Sequence, residues 1–300
     1  MKGNKILVIV GPTASGKSDL AVELALKFNG EIISADSRQV YKGLDIGSGK
    51  ITLSEMRGIQ HHLLDVVSPR TVFTVTKFQN LARKKITEIL AKGKLPIICG
   101  GTGLYIKSLV DQVAFPQVSP NQELRKNLGV RHPNELFLML RELNPEKAKD
   151  IDANNPRRLI RAIEIALASH HDQNQEINLN MAGLSYLQIG IEVERDILKK
   201  RIAQRFLARV QQGIVQEAKK LHQTGLTYKR FSEVGLAHKY LALYLQGKIS
   251  EEEFIRESIK AEQKYAKRQM TWFQRDKRIH WFALTDKQKT INLVHNFLLK

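Results

Sequence analysis

Residues 11–18 read GPTASGKS, a G-x-x-x-x-G-K-[ST] pattern whose residue types suit one task, holding phosphate. Gly11 and Gly16 permit a tight loop whose backbone N–H groups converge on phosphate oxygens. Pro12, Thr13, Ala14 and Ser15 span the loop, Lys17 adds a point charge, and the Ser18 hydroxyl is a candidate ligand for Mg²⁺. A helix starting here would add the positive potential of its N-terminus. The occupant this predicts is an anion: a nucleotide, or another phosphate ester using the same cradle.

Other segments carry further candidates. ISADSRQVY (33–41) places Asp36 just past a predicted strand end. Three readings of Asp36 are open: a solvated or capping carboxylate, with Ser37 equally able to cap, a Mg²⁺ group, or a general base beside the phosphate site. GGTGLY (100–105) sets two glycines and Thr102 at another strand end, either as a plain turn or for close approach to a ligand. His61 and His62 are adjacent, and neighbours in a strand face opposite ways, so they are a poor chelating pair. Asp65, nearby, is open to a supporting role at Mg²⁺ or a structural one. Arg157, Arg161 and Glu164 form one helical stripe, readable as a surface ion-pair row or, with Arg158, as an arginine cluster against phosphate. Leu159, Ile163 and Leu167 of the same helix are expected to face inward.

Positioning these groups requires alternating strands and helices. Lys5–Val10 reads as a buried strand, and Asp19–Phe28 as a helix closed by Asn29-Gly30. Further strands are expected at Glu31–Ala35, His62–Val67, Leu95–Cys99, Leu187–Val193 and Ile279–Ala283. Helices are expected at Thr76–Ala91, Asn134–Leu143, Pro156–Ser169 with Asn155 as cap, Asp196–Leu221 and Ser250–Phe273. The pattern predicts an α/β fold, a doubly wound and mostly parallel sheet of the P-loop kind. In such sheets ligands sit beyond the C-terminal strand ends, so the loops starting at Gly11, Asp36 and Gly100 should share one crevice. Prolines punctuate the chain from about residue 113, so 113–185 is expected to be a helical insertion, with 170–180 a polar loop, between core segments 1–112 and 186–300.

Composition narrows the function. The chain has 300 residues, a net charge of +18 and a pI near 9.9, which favours a large anionic partner, nucleic acid first. Lys260, Lys264, Lys267 and Arg268 share one side of the last long helix, with Arg275, Lys277 and Arg278 beyond it and Tyr265, Trp272 and Phe273 interleaved. This is a backbone-tracking RNA surface or a solvated face over an aromatic core. The single cysteine, Cys99, excludes a disulfide framework and fits a reducing cytoplasm. The apolar start ends at Val10, too early for a signal peptide, and no stretch nears the roughly 20 apolar residues of a membrane span.

Taken in order, GPTASGKS, ISADSRQVYKGLDIGSGK, HHLLDVVSP, GGTGLY, NNPRRLIRAIE, RIAQRF and YAKRQMTWF resemble the tRNA dimethylallyltransferase family, bacterial type, over nearly the whole chain. The resemblance implies transfer of a dimethylallyl group from dimethylallyl diphosphate to the exocyclic amine of the adenosine 3′ of the anticodon, in tRNAs reading codons that start with U. It implies that Asp36 is the general base, that Thr102 lies by the same adenine, and that Arg205 assists the diphosphate held by Gly11–Ser18. It further implies tRNA contacts at Asp36, Ser37, Arg38, Gln39 and Thr102, and at Arg157, Arg158, Leu159, Ile160 and Arg161. Mg²⁺ on Ser18, an anticodon stem-loop as partner and a cytoplasmic monomer complete the expectation. Residues Phe231–Tyr240 depart from the family pattern, with Leu236 after Val234-Gly235. Two rivals are a P-loop kinase of small molecules or nucleotides and a non-catalytic RNA-binding protein.

Overall fold

A computed structural model describes residues 4–116, 118–168 and 183–300, in two units: residues 1–113 with 180–300, and residues 114–179. The first unit opens with β1 (Lys5–Val10), α1 (Lys17–Phe28), β2 (Gly30–Ser34), α2 (Leu53–Met56), β3 (His61–His62), α3 (Val75–Ala91), β4 (Leu95–Gly100) and α4 (Gly103–Val110). The second unit holds α5 (Gln122–Leu128), α6 (Pro133–Leu143), α7 (Pro145–Asp150) and α8 (Pro156–Ala168). The first unit resumes with β5 (Ser185–Glu192), α9 (Arg195–Gln212), α10 (Ile214–Gln223), α11 (Tyr228–Val234), α12 (Leu236–Leu245), α13 (Glu251–Phe273), β6 (Ile279–Ala283) and α14 (Lys287–Leu299).

The six strands form one parallel sheet in the order β3-β2-β4-β1-β5-β6. β1 sits inside it and reads ILVIV from Ile6 to Val10 because both of its faces are covered. Ile6, Val8 and Val10 pack with α3 and α4 on one face, and Leu7 and Ile9 with α1 and α14 on the other. Burying each such side chain contributes roughly 1.5–3 kcal/mol. Helix α1 starts at Lys17, ahead of the expected Asp19, because Gly16 turns the chain at φ 86°.

Three expectations are corrected. The strand expected over His62–Val67 is limited to His61–His62, since Leu63 (φ 63°) and Asp65 (φ 53°) leave extended geometry and only a lone bridge joins Tyr41 to Val67. The single helix expected over Asp196–Leu221 breaks at Gly213, whose φ of 101° ends α9 and starts α10. Leu167, expected to face inward, is 40% exposed, while Leu159 and Ile163 are fully buried. The helix end at Ser169 and the polar loop at 170–180 lie outside the described residues.

The second unit has its own core of Leu128, Leu136, Leu140, Leu159 and Ile163. Asn155 caps α8, its Oδ1 accepting the Arg158 N–H at 3.3 Å. Glu164 is not part of a surface row: its buried carboxylate accepts from Arg125 Nη2 (2.7 Å), Arg161 Nη1 (2.5 Å) and the Asn121 N–H (2.6 Å).

Glu31, on β2 in the first unit, is the matching buried carboxylate. It accepts from His62 (2.7 Å), Lys94 (2.9 Å) and Lys92 (3.2 Å). Burial pushes its pKa up, but the bonds from Lys94, His62 and Lys92 outweigh it and hold the carboxyl down at about 2. A depressed carboxylate stabilises the fold above its unfolded pKa of 4.5, and that contribution fades as pH falls toward about 2. Glu31→Gln is therefore expected to destabilise the protein by roughly 3 kcal/mol at neutral pH. Urea titrations across the acid range should also show a shallower loss of stability below the carboxylate's unfolded pKa in the variant than in the wild type.

Candidate active site

The site forms where β1, β2 and β4 end. Gly100 closes β4 so near β2 that a Cβ on it would lie 2.2 Å from the Ala35 carbonyl oxygen. Only glycine allows these two backbones to meet. The GPTASGKS loop, the Asp36 loop and the Gly100 loop consequently border one cavity of about 110 Å³, lined among others by Lys17, Ser18, Asp36, Arg205, His238 and Gln269. A second cavity of about 620 Å³ shares Lys17, Ser18 and Arg205 and adds Ala14, Gly16 and Arg201.

Positive charge dominates the phosphate end. Lys17 Nζ donates to the Pro12 carbonyl at 3.1 Å. Its pKa is lowered, first by burial and also by the Arg205 charge, while Cys99 and Asp36 act in the other direction. Arg205 Nη2 donates to Gly49 O at 2.9 Å, and burial, then Arg209, lowers its pKa too. Two neighbouring cations, Lys17 half-buried and Arg205 exposed, disfavour each other, and an anion between them would relieve both.

Asp36 lines the same cavity while its Oδ1 accepts the Arg38 N–H at 2.8 Å, so it organises its own turn. Thr102 stands at the N-cap of α4 and does not itself line the cavity, its Oγ1 accepting the Ser37 N–H at 3.0 Å. The Thr102 loop is thereby tied to the Asp36 loop. Arg38 and Gln39 also line the cavity, and Gln39 Nε2 donates to Gly49 O at 3.3 Å.

Of the expected RNA-contacting residues in the second unit, Arg157 and Arg158 are exposed, Arg161 pairs with Glu164, and Leu159 is a core residue with no surface to offer. On α13, Lys264, Lys267 and Arg268 are exposed without a carboxylate partner among the described residues, whereas Lys260 pairs with Glu257 and Arg278 with Asp276 and Asp111. The interleaved aromatics divide: Phe273 is core, Trp272 is 38% exposed, and Tyr265 lines the cavity. His62 and Asp65 are structural, bonded to Glu31 and Lys50, and no cluster of three metal-ligating side chains occurs among the described residues.

Several residues here were not picked out from the sequence. Glu217 of α10 accepts the N–H groups of Asp45 (2.9 Å), Ile46 (2.7 Å) and Gly47 (2.8 Å). Arg209 of α9 donates to Gly47 O (3.1 Å) and pairs with Glu262 of α13 (2.5 Å). His238 of α12 is buried against Gly47 and Gly235, and burial, then the Arg38 and Arg209 charges, pull its pKa down to about 3. Gln269 of α13 bonds the Thr13 N–H and the Gly101 carbonyl. Tyr265 and Gln269 lie in the YAKRQMTWF block, and with Glu262 they form a polar stripe at i, i+3, i+7 that a reading focused on α13's basic residues passes over.

Cys99 faces the phosphate loop and donates to Lys17 O at 3.6 Å. Burial pushes its thiol up to about 11. Since the thiolate is the reactive form, native protein is expected to resist iodoacetamide at mildly alkaline pH and to alkylate at Cys99 once unfolded in urea. Mass spectrometry of the modified chain reads this directly.

The IPP transferase family model matches residues 39–276. A tRNA dimethylallyltransferase of Anoxybacillus flavithermus is 41% identical over 286 residues, covering 95% of this chain and 92% of its own length. The tRNA dimethylallyltransferase 2 of Treponema denticola is 43% identical, covering 90% and 91%. Among solved structures, the full-length tRNA isopentenylpyrophosphate transferase of Bacillus halodurans superposes with a TM-score of 0.73 at 38% identity, covering 99% of this chain and 96% of its own. A eukaryotic dimethylallyltransferase acting on tRNA superposes at 0.81 with 25% identity, covering 99% and 80%.

Proposed function

The chain belongs to the IPP transferase family, and on that premise we propose that it prenylates tRNA, moving a dimethylallyl group from dimethylallyl diphosphate to the exocyclic amine of the adenosine 3′ of the anticodon in tRNAs reading U-starting codons. The observation that carries the reading is that a candidate base, Asp36, and a cationic phosphate cradle, Lys17 with Arg205, line one cavity. A kinase needs the cradle. A transferase that must also deprotonate a weak amine nucleophile needs both.

In this reading the bond from the allylic carbon to diphosphate breaks and diphosphate leaves with the electron pair. The adenine nitrogen forms the new bond to that carbon, and its proton passes to Asp36. The N–H groups of Gly11–Ser18, with Lys17 and Arg205, stabilise the charge that builds on the leaving oxygens. Thr102, bonded to the Ser37 N–H, holds the Asp36 loop against the acceptor end. Mg²⁺ fits the donor set: Ser18 lines both cavities, and this ion binds through few protein oxygens plus substrate phosphates. Held there, it would supply further charge stabilisation on the diphosphate.

The RNA partner is an anticodon stem-loop. Lys264, Lys267 and Arg268 are free to meet its phosphates, and Arg38 and Gln39 to meet the nucleotide entering the cavity. That nucleotide must leave its stack to reach Asp36. We place the enzyme in the cytoplasm as a monomer. The net charge of +18 suits a nucleic-acid partner, and no described helix is long and apolar enough to cross a membrane.

The test is to incubate the protein and Mg²⁺ with unmodified tRNA and either dimethylallyl diphosphate or ATP. Prenylated adenosine is expected with the first, and no phosphoryl transfer or ATP hydrolysis with the second. Phosphorylated product without prenylation would overturn the proposal. Asp36→Ala is expected to slow prenyl transfer at least about a hundredfold, as loss of a general base does, and a rate within about threefold of wild type would remove Asp36 from that role.

A further inference from the structure

Gln269 sits near the C-terminal end of α13, 6% exposed, with both ends of its carboxamide used. Oε1 accepts the Thr13 N–H at 2.9 Å, and Nε2 donates to the Gly101 carbonyl at 2.9 Å. Thr13 belongs to the phosphate cradle. Gly101 precedes Thr102, whose hydroxyl holds the Ser37 N–H beside Asp36. One planar amide therefore spans from the loop that takes the leaving group to the loops that present the base. A neutral side chain with both a donor and an acceptor on one plane is what the two loops require, and a carboxylate, which only accepts, would leave the Gly101 carbonyl unpaired. The fit is close: a Cβ on Gly101 would lie 2.1 Å from Gln269 Nε2.

The same helix is tied to neighbouring parts of the site. Glu262, two turns earlier, pairs with Arg209, which holds the Gly47 carbonyl. Tyr265, one turn earlier, lines the cavity with Asp36. Of these ties, only Gln269's bridges the phosphate loop and the acceptor loop directly.

We propose that Gln269 is a positioning residue for the transfer, setting the spacing between the diphosphate loop and the Asp36–Thr102 loops without taking the proton or the leaving-group charge itself. The inference rests on the prenyl-transfer reading above. In-line transfer needs the reacting atoms about 3–3.5 Å apart, and a misplacement of about 1 Å costs on the order of a hundredfold in rate. Loosening the tie should therefore act on the rate of the bound complex more than on the affinity for either substrate.

Gln269→Glu keeps the side chain's size and its acceptor but loses the donor when ionised. At about pH 9 its kcat is expected to fall at least about tenfold, with KM for dimethylallyl diphosphate and for tRNA within about threefold of wild type. Protonation restores a donor, and a carboxyl held beside a carbonyl in a buried position has a raised pKa. The ratio of variant to wild-type kcat is therefore expected to rise severalfold or more between about pH 9 and about pH 6. A merely structural residue would lower thermal stability without producing that pH-dependent ratio. Gln269→Asn, whose amide is too short to span both loops, should lower kcat at every pH. A kcat within about threefold of wild type in both variants at about pH 9, a flat pH ratio for Gln269→Glu, or a KM increase with unchanged kcat would overturn the proposal. Wild-type protein assayed alongside separates the cases: no prenylated adenosine from it defeats the reaction assignment, whereas normal wild-type turnover with insensitive variants defeats only the role of Gln269.

Discussion

Lys17 is a half-buried ammonium whose one hydrogen bond among the described residues goes to a carbonyl, Pro12 O. A cation placed so is costly until an anion joins it. The rest of the site is arranged around that cost. Arg205, exposed at the mouth of the same cavity, spends its guanidinium on Gly49 O, while Arg209 has already been matched by Glu262. Lys17 and Arg205, neither with a carboxylate partner among the described residues, line the second cavity together with Gly16, where the N-terminus of α1 adds its own positive potential. An incoming anion is drawn to the place where its oxygens replace carbonyls as partners.

The parallel sheet explains how so many segments reach that point. β1 is interior, and the neighbours β4 and β5 run the same way, so loops distant in sequence leave the sheet side by side. Proximity alone would leave them mobile relative to one another. Helix α13 supplies the fixing contacts, since its polar stripe faces the loops while Phe254 and Phe273 anchor it in the core. Rigidity in the scaffold is what lets weak individual hydrogen bonds define a geometry.

Much of this was legible in the sequence, for identifiable reasons. β1, α1 and the phosphate loop are local features: an apolar run, a helical spacing and two glycines, each readable within a few residues of itself. α8 likewise announced itself through Asn155-Pro156. Where reading fell short, the deciding partner was distant. His62–Val67 has the composition of a strand, but its path is set by Leu63 and Asp65 turning to left-handed geometry and by the bond from Lys50 to Asp65. Gly213 sits inside an unbroken apolar period, and nothing near it tells that α10 must turn to bring Glu217 to the 45–47 backbone. Glu164 looked like a surface charge because Arg125 and Asn121, its partners, are some forty residues upstream. Gln269 is an ordinary amide until Thr13 and Gly101 are seen on either side of it.

The grip of Glu217 on the backbone has an evolutionary side. Three N–H groups satisfy the carboxylate whatever side chains other than proline positions 45 and 46 carry, so such substitutions leave those bonds intact. Position 47 has no such freedom, because a Cβ would lie 2.6 Å from the His238 ring. The wall of the pocket can thus drift at two neighbouring positions while Glu217, Gly47 and His238 change only together, if at all. In lineages descended from this chain, sequence novelty in the loop would be expected to accumulate just before a fixed glycine.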